Sequence, residues 1–251
     1  MKSIETLDLH IIGKGKLGRS LSAILQRSHI PHALYGRDFP HHLQGIVYIC
    51  VSEDLIESVA HTLSYHQDCV VVHASGTLGL DVFPPHALEV GCLHPIQSFP
   101  GPEVHLPSSV PATLLSHEQA SLDSINKMKQ LAHCLEFSLY PFIGNRLTYH
   151  TAAVLSGNFT TILFSLATEL LIKEGYSGKQ ASELLYSLAA QSLENASKGT
   201  LEEVLTGPIA RQQKDVLQKQ QQNLSWDPLL EQLYDTFVDV ANQRLQKDCK
   251  D

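Results

Sequence analysis

Apolar residues follow two rhythms along this chain, and the change from one to the other falls beyond its midpoint. In the first part, short apolar runs are separated by stretches with helical spacing. Residues 9–12 (Leu-His-Ile-Ile), 32–35, 45–51 and 68–73 (Asp-Cys-Val-Val-Val-His) read as buried strands. Residues 17–26 read as a helix between the first two, and Ser52-Glu53-Asp54 offers a cap for the next helix. This alternation predicts βαβ units, and so a parallel sheet with right-handed crossovers. Residues 118–135 read as one more helix and 138–143 as a last short strand.

From residue 147 onward no strand pattern remains. Residues 147–173 are apolar on nearly every side, which marks a helix buried in a domain or lying at a subunit interface. Gly175 stops it, and 180–198 form a second helix ending at Gly199. Asp227 before Pro228 reads as N-cap and first helical residue, followed by Leu229, Leu233, Phe237 and Ala241 at helical spacing. The glutamine-rich segment 218–222 reads as solvated helix surface. The expected organisation is an α/β domain over 1–146 and an all-α domain over 147–251, with the boundary near Gly144-Asn145-Arg146.

Composition narrows the function classes. The 251 residues, 43% hydrophobic and 18% charged, suit a soluble globular chain. A net charge of -8 argues against nucleic-acid binding, which needs a basic face. No membrane partner is expected, because no stretch approaches ~20 apolar residues without Ser, Thr or charge. The N-terminus does not read as a signal peptide. The 5 cysteines are scattered, as in a reducing, cytoplasmic setting. Among the 14 histidines, His41-His42 has no metal-ligand spacing around it, so no metal is expected.

The first chemical motif is Gly13-Lys14-Gly15-Lys16-Leu17-Gly18, a G-x-G-x-x-G that follows the first strand and opens a helix. In that context it is the dinucleotide fingerprint. Gly13 permits the turn, Gly15 admits the pyrophosphate, and Gly18 lets helix and strand pack closely. The helix N-terminus offers free N–H groups to phosphate. The domain is therefore read as a Rossmann fold, with Val51 and Ser52, at the end of the third strand, added to the cofactor-binding set. The second strand ends Tyr35-Gly36-Arg37-Asp38. Asp38 would hold the ribose hydroxyls of NAD and Arg37 the 2′-phosphate of NADP; the arginine directly after glycine favours NADP.

A second set of motifs is distributed along the rest of the chain. His73-Ala74-Ser75-Gly76 follows the fourth strand, and Leu93-His94-Pro95-Ile96-Gln97-Ser98-Phe99 comes after it. Then come Tyr149-His150-Thr151-Ala152-Ala153 with Asn158, and Thr206-Gly207-Pro208-Ile209-Ala210-Arg211. In this order they resemble a family of Rossmann-like proteins with a C-terminal helical domain of unknown function. That family is similar in layout to ketopantoate reductases and pyrroline-5-carboxylate reductases. The resemblance implies a long central helix facing the nicotinamide and helical domains pairing into a homodimer. It also implies activity on small oxo acids. The chain departs from the pattern after Arg211, where Gln212-Gln213 replace the usual Gly-Asp and Gln220 replaces a histidine.

The residues leave several roles open. His150 is either the proton donor to a new alkoxide or a packed histidine with a backbone partner. Asn158, eight residues on by the numbering, is set on roughly the same stripe and could orient a substrate. His94 and Gln97 either border nicotinamide and substrate or belong to a proline turn. Ser75 either donates to the cofactor or bonds its own turn. Arg211 either grips a substrate carboxylate or pairs across a subunit interface. Three functions compete: an NADPH-dependent reductase of a 2-ketopantoate-like oxo acid or an imine, an NADP-binding sensor or assembly module without turnover, and a scaffold with a vestigial site.

Overall fold

The computed structural model describes residues 8–247 apart from 67, 104–106 and 108. The chain divides into two compact units, Met1–Thr160 and Thr161–Asp251.

The first unit is built on a seven-stranded sheet of order β2-β1-β3-β4-β5-β6-β7. Its strands are β1 (Leu9–Ile12), β2 (Ala33–Tyr35), β3 (Gly45–Ile49), β4 (Cys69–His73), β5 (Val90–Pro95), β6 (Val110–Ser116) and β7 (Phe137–Pro141). The first five are parallel, β6 pairs antiparallel with β5, and β7 is parallel to β6. The sheet is thus the parallel one that the sequence predicted, apart from the antiparallel β5–β6 pair. β5 and β6 carry no clear strand signal: Pro95 ends one and Pro111 stands near the start of the other, and proline in a run speaks against a sheet interior.

Successive side chains of the central strands go to opposite faces, and each face has its own core. Leu9, Ile11, Ile46, Tyr48, Val70 and Val72 pack with Leu21, Ile24 and Leu25 of α1 (Lys16–Arg27) and Met128 and Leu131 of α3 (Leu122–Cys134). Ile12, Val47, Ile49 and Val71 pack on the other face with Ile56 and Ala60 of α2 (Glu53–Thr62). Buried on both faces, these strands read as continuous apolar runs, as the sequence shows. Ser52 stands at the N-cap of α2 as expected, but its hydroxyl makes no capping bond.

After β7, Asn145 caps α4 (Arg146–Val154) by accepting from the Thr148 N–H at 3.0 Å. The helix then widens into a π turn, Leu155–Phe159, before continuing as α5 (Thr160–Lys173). The division between units falls after this turn, not at 146/147, because side chains of α4 bond back to the sheet. The run Arg146–Lys173 is, among the described residues, the helix long and apolar enough to cross a membrane by length and composition, and its most apolar window has no buried residue.

The second unit is helical: α5, α6 (Gly178–Ala196), α7 (Leu201–Val204), α8 (Gly207–Ala210), α9 (Lys214–Gln222) and α10 (Pro228–Lys247). Local signals set its boundaries. Gly175 at φ +100° ends α5, a Ser177–Gln180 capping box opens α6, and Asp227 accepts from Leu229 and Leu230 N–H at 3.1 Å to open α10. Among its described residues only Ala181 and Leu224 are buried. An apolar cavity of about 260 Å³ is lined by leucines of α5 and α10 with Tyr234 and Phe237.

Candidate functional site

The crossover from β1 leads outward to β2, and the next returns past β1 to β3, so the order reverses between β1 and β3. Ligands of such sheets bind outside the carboxyl ends of the strands at that reversal. The glycine loop lies there. Gly13 has φ +127°, its N–H donates to the Tyr35 carbonyl at 3.0 Å, and a Cβ on it would stand 2.4 Å from the Cys50 carbonyl oxygen. A Cβ on Gly18 would lie 1.9 Å from the Gly13 oxygen. Both glycines are required by the backbone packing itself. Gly15 differs: a Cβ there would meet nothing within 4 Å, and Gly15 caps α1 with no side-chain bond to the first turn. The loop thus leaves open space before an uncapped helix N-terminus, which fits a pyrophosphate.

The flanks agree with that fit. Lys14 and Lys16 are exposed, Leu17 is half-buried, and the Lys14 side chain runs beside Gly36, 3.6 Å from where a Cβ would be. Arg37 is exposed and forms no ion pair with Asp38. Both cations are therefore available to an added phosphate. Val51 is half-buried and Ser52 exposed at the carboxyl end of β3.

The carboxyl ends of β4 and β5 continue the same edge. Adjacent strands lie ~4.8 Å apart, so β5 is roughly 14 Å from β1 along it. Here a side-chain cluster forms that the sequence only partly revealed. His94 on β5 and Thr113 on β6 are register partners, and the Tyr149 hydroxyl of α4 reaches both, 2.8 Å from His94 Nδ1 and 3.1 Å from Thr113 Oγ1. The His94 and His150 rings lie 6.1 Å apart between centroids. Gly76 fills the floor between them: a Cβ there would sit 2.6 Å from His150 Cδ2 and 2.8 Å from His94 Nε2. His150 is half-buried, and its ring nitrogens take no hydrogen bond from the described residues. It is not the packed histidine with a backbone partner that was the alternative.

Electrostatics separate the histidines. Burial, then the nearby charges of His150 and Arg146, lower His94 from 6.5 to about 4, with Glu53 opposing. His73, wholly buried, is lowered to about 4 by burial above all, and it holds the turn by accepting from the Ser75 N–H and bonding the Gly79 carbonyl. Glu53, at the start of α2, would be raised by burial. Hydrogen bonds from Ser75 and Thr77, together with the charge of His150, bring it below the usual carboxylate value.

Ser75 takes the second of its two expected roles. Its hydroxyl donates to Glu53 and accepts from the N–H groups of Thr77 at 3.1 Å and Leu78 at 2.9 Å, so it is committed to its own turn and to α2. Arg146, at the expected domain boundary, instead anchors α4: Nη2 donates to the Ser75 carbonyl at 2.7 Å and lies 3.0 Å from Cys92 Sγ, while Nε is buried without a partner.

The remaining expected residues are all exposed. Gln97 is exposed beyond β5. Asn158 is exposed within the π turn, where the 100° spacing used to align it with His150 no longer holds. Arg211 is exposed after α8, in the second unit, and forms no ion pair among the described residues. Tyr149, Thr113, Glu53 and Gly76 had no site role in the sequence: Tyr149 and Gly76 lay inside motifs, Glu53 in a helix-cap segment, and Thr113 in neither.

Comparison with known proteins adds a domain match and a fold. Residues 119–240 match the profile described as a domain of unknown function, DUF2520. The matched span begins just before α3 of the first unit and runs into α10. This fits the resemblance drawn from the motifs. Solved structures share the fold across almost the whole chain. One from Bacteroides fragilis, assigned as an NADP oxidoreductase, has 20% identity and a TM-score of 0.79 over 96% of this chain and 100% of its own. A protein from Thermotoga maritima has 22% identity and a TM-score of 0.70 over 96% and 100%. Pyrroline carboxylate reductase of Plasmodium falciparum, solved with NADP bound, has 13% identity and a TM-score of 0.65 over 96% and 97%. The fold is that of an N-terminal Rossmann domain followed by helices. No curated protein matches the chain.

Proposed function

We propose that this protein is an NADPH-dependent reductase of a small oxo acid of the 2-ketopantoate type, or of an imine. One observation carries the reading: an open glycine loop before an uncapped helix shares a sheet edge with a half-buried imidazole pair. Among the structures of this fold, one is a reductase solved with NADP bound.

NADPH, when bound, supplies the hydride. The chain's residues do the rest. Gly13 and Gly18 shape the loop, Gly15 leaves room, and the N–H groups at Lys16 and Leu17 meet the pyrophosphate. Arg37, with Lys14 beside it, takes the 2′-phosphate. Val51 and Ser52 continue the cofactor wall. His150, whose ring nitrogens take no hydrogen bond among the described residues, gives the proton to the reduced oxygen or nitrogen. Gln97 and Asn158 are exposed polar groups able to orient a substrate, and Arg211 is a cation open to a substrate carboxylate or an interface acid.

The test is NADPH consumption with a panel of oxo acids and imines, 2-ketopantoate first. The expected results are turnover by one panel member, a ~10²- to 10⁴-fold loss in His150→Ala, and a smaller loss in Asn158→Ala. NADPH should protect against thermal unfolding more than NADH, by ~2.7 kcal/mol at 100-fold excess over Kd. If NADPH protects but no compound is reduced, the second reading holds: an NADP-binding sensor or assembly module. The Gln212-Gln213 departure favours that reading. Equal protection by NADH overturns the NADP assignment.

The protein is further proposed to be a cytoplasmic homodimer through its helical unit. Its described cysteines are free thiols. Tyr186, Leu188 and Leu229 are 69%, 66% and 77% exposed in a unit that buries only two of its described residues, a surface a solitary chain leaves wet. Light scattering should give a dimer at micromolar concentration and a monomer for Leu188→Glu. A wild-type monomer, or partition into lipid vesicles, overturns it.

A further inference from the structure

We propose that Tyr149 and Thr113 hold His94 as a neutral imidazole whose Nε2–H points over Gly76, making it a fixed hydrogen-bond donor to the reacting group and not the source of the proton. The role of donor rests on the reductase reading; the tautomer does not.

The argument is one of donors and acceptors in a chain. Tyr149 Oη lies between His94 Nδ1 at 2.8 Å and Thr113 Oγ1 at 3.1 Å. Two arrangements keep the Tyr149 proton within the chain. In the first, the Thr113 hydroxyl donates to Tyr149, the Tyr149 hydroxyl donates to Nδ1, and the His94 proton resides on Nε2. In the second, Nδ1–H donates to Tyr149, Tyr149 donates to Thr113, and the Thr113 proton has nowhere to go. Thr113 is only 6% exposed and its hydroxyl bonds nothing else among the described residues. A buried hydroxyl left unmade costs ~1–3 kcal/mol. The phenol is also a better donor than an aliphatic hydroxyl, and the imidazole nitrogen a better acceptor. Both considerations select the first arrangement.

The sheet register makes this geometry stiff. His94 and Thr113 face each other across β5 and β6, so their side chains rise on one face and a single hydroxyl from α4 spans them. Nε2 then lies 2.8 Å from the Cβ position that Gly76 leaves vacant, on the side where His150 stands. The charged and titratable groups around His94 are His150 and Arg146 on α4, which oppose a second proton on it, and Glu53 on α2, which favours one but already accepts from Ser75. Two imidazoles in one site thus take different tasks through their surroundings: His94 polarises, and His150 carries the proton.

Two-bond ¹H–¹⁵N spectra of ¹⁵N-histidine protein test this, with the His94 signals identified by their loss in His94→Gln. The expected pattern is a pure Nε2–H tautomer that does not change between about pH 5.5 and 8. Thr113→Val and Tyr149→Phe should each bring in the Nδ1–H form. Tyr149→Phe should also lower kcat about tenfold with NADPH affinity unchanged, less than the ~10²-fold of a donor lost outright. A wild-type Nδ1–H pattern, a protonated His94 at neutral pH, or variants that leave the pattern untouched would overturn the proposal. Should Tyr149→Phe fail to fold, the wild-type and Thr113→Val spectra decide. If the wild type reduces nothing, the function fails while the tautomer stands or falls on the spectra alone.

Discussion

Gly76 and His150 are in contact in a way that only glycine allows: the Cβ of any other residue at 76 would lie 2.6 Å from His150 Cδ2. His94 on the other side is tied to Tyr149, whereas the His150 ring has no hydrogen bond among the described residues to keep it in place. Gly76→Ala should therefore displace His150. The stability cost is expected at the low end of the ~1–3 kcal/mol typical of overpacking. Turnover should fall as far as in His150→Ala, with NADPH binding intact, and the double variant should be no slower than either single one. Additive losses in kcat would show that His150 does not yield.

The three glycines of the loop should separate folding from binding. Gly15→Val adds a side chain into open space, so the melting temperature should hold while nucleotide binding disappears. Gly13→Ala forces a Cβ against the Cys50 carbonyl at φ +127° and should unfold the sheet's nucleotide end, at a cost of at least ~1–3 kcal/mol. Calorimetric titration and thermal melts of the two variants check this. Retained binding in Gly15→Val would mark the loop as structural.

How far the sequence revealed this arrangement depended on whether its signals were local. The G-x-G-x-x-G loop, the Asp227 cap and the apolar runs of β1, β3 and β4 are set by neighbours in sequence, and each is found where its pattern placed it. The His94–Tyr149–Thr113 chain is not local. It exists because an antiparallel strand brings Thr113 opposite His94, and β5 and β6 are the two strands whose prolines hid them. Tyr149, which lay inside a motif but received no role from the sequence, is the residue that ties α4 to the sheet. The π turn at Asn158 breaks the helical periodicity that set Asn158 on the same stripe as His150.

Acid should destabilise the protein in a defined window. His73 titrates at about 4 in the folded chain against an ordinary 6.5. Between those values the unfolded chain takes up the proton and the folded one does not. Its contribution, on the order of 3 kcal/mol, is full above pH ~6.5 and is lost as the pH falls towards ~4. His94 acts in the same window and direction, reduced by its partial exposure. Urea midpoints should drop across this range, and His73→Gln should flatten the slope. A slope unchanged in that variant would place the acid sensitivity elsewhere.

Gln212 is one of the non-glycine residues with positive φ, at +51°. It follows the α8 cap, with its N–H on the Ile209 carbonyl at 3.0 Å and the Gln213 N–H on Pro208 at 2.9 Å, a complete Schellman ending. The glycine usual here in the resembling family has a conformational reason, and this chain forgoes it. Gln212→Gly should stabilise the protein by about 1 kcal/mol, measurable as a raised urea midpoint. A loss of stability would mean that the glutamine side chain contributes more than its strained backbone costs.

Cys50, Cys69 and Cys92 are all buried, at or just beyond β3, β4 and β5. Burial pushes Cys69 and Cys92 up to about 11 and Cys50 further still. None is a nucleophile while the sheet is closed, since only an exposed thiolate reacts. Each can be alkylated only when its own strand opens, so the modification rates of the three form a set of clocks. Read one by one in single-cysteine variants, they would time how the sheet breathes, strand by strand, from the nucleotide loop to the imidazole pair.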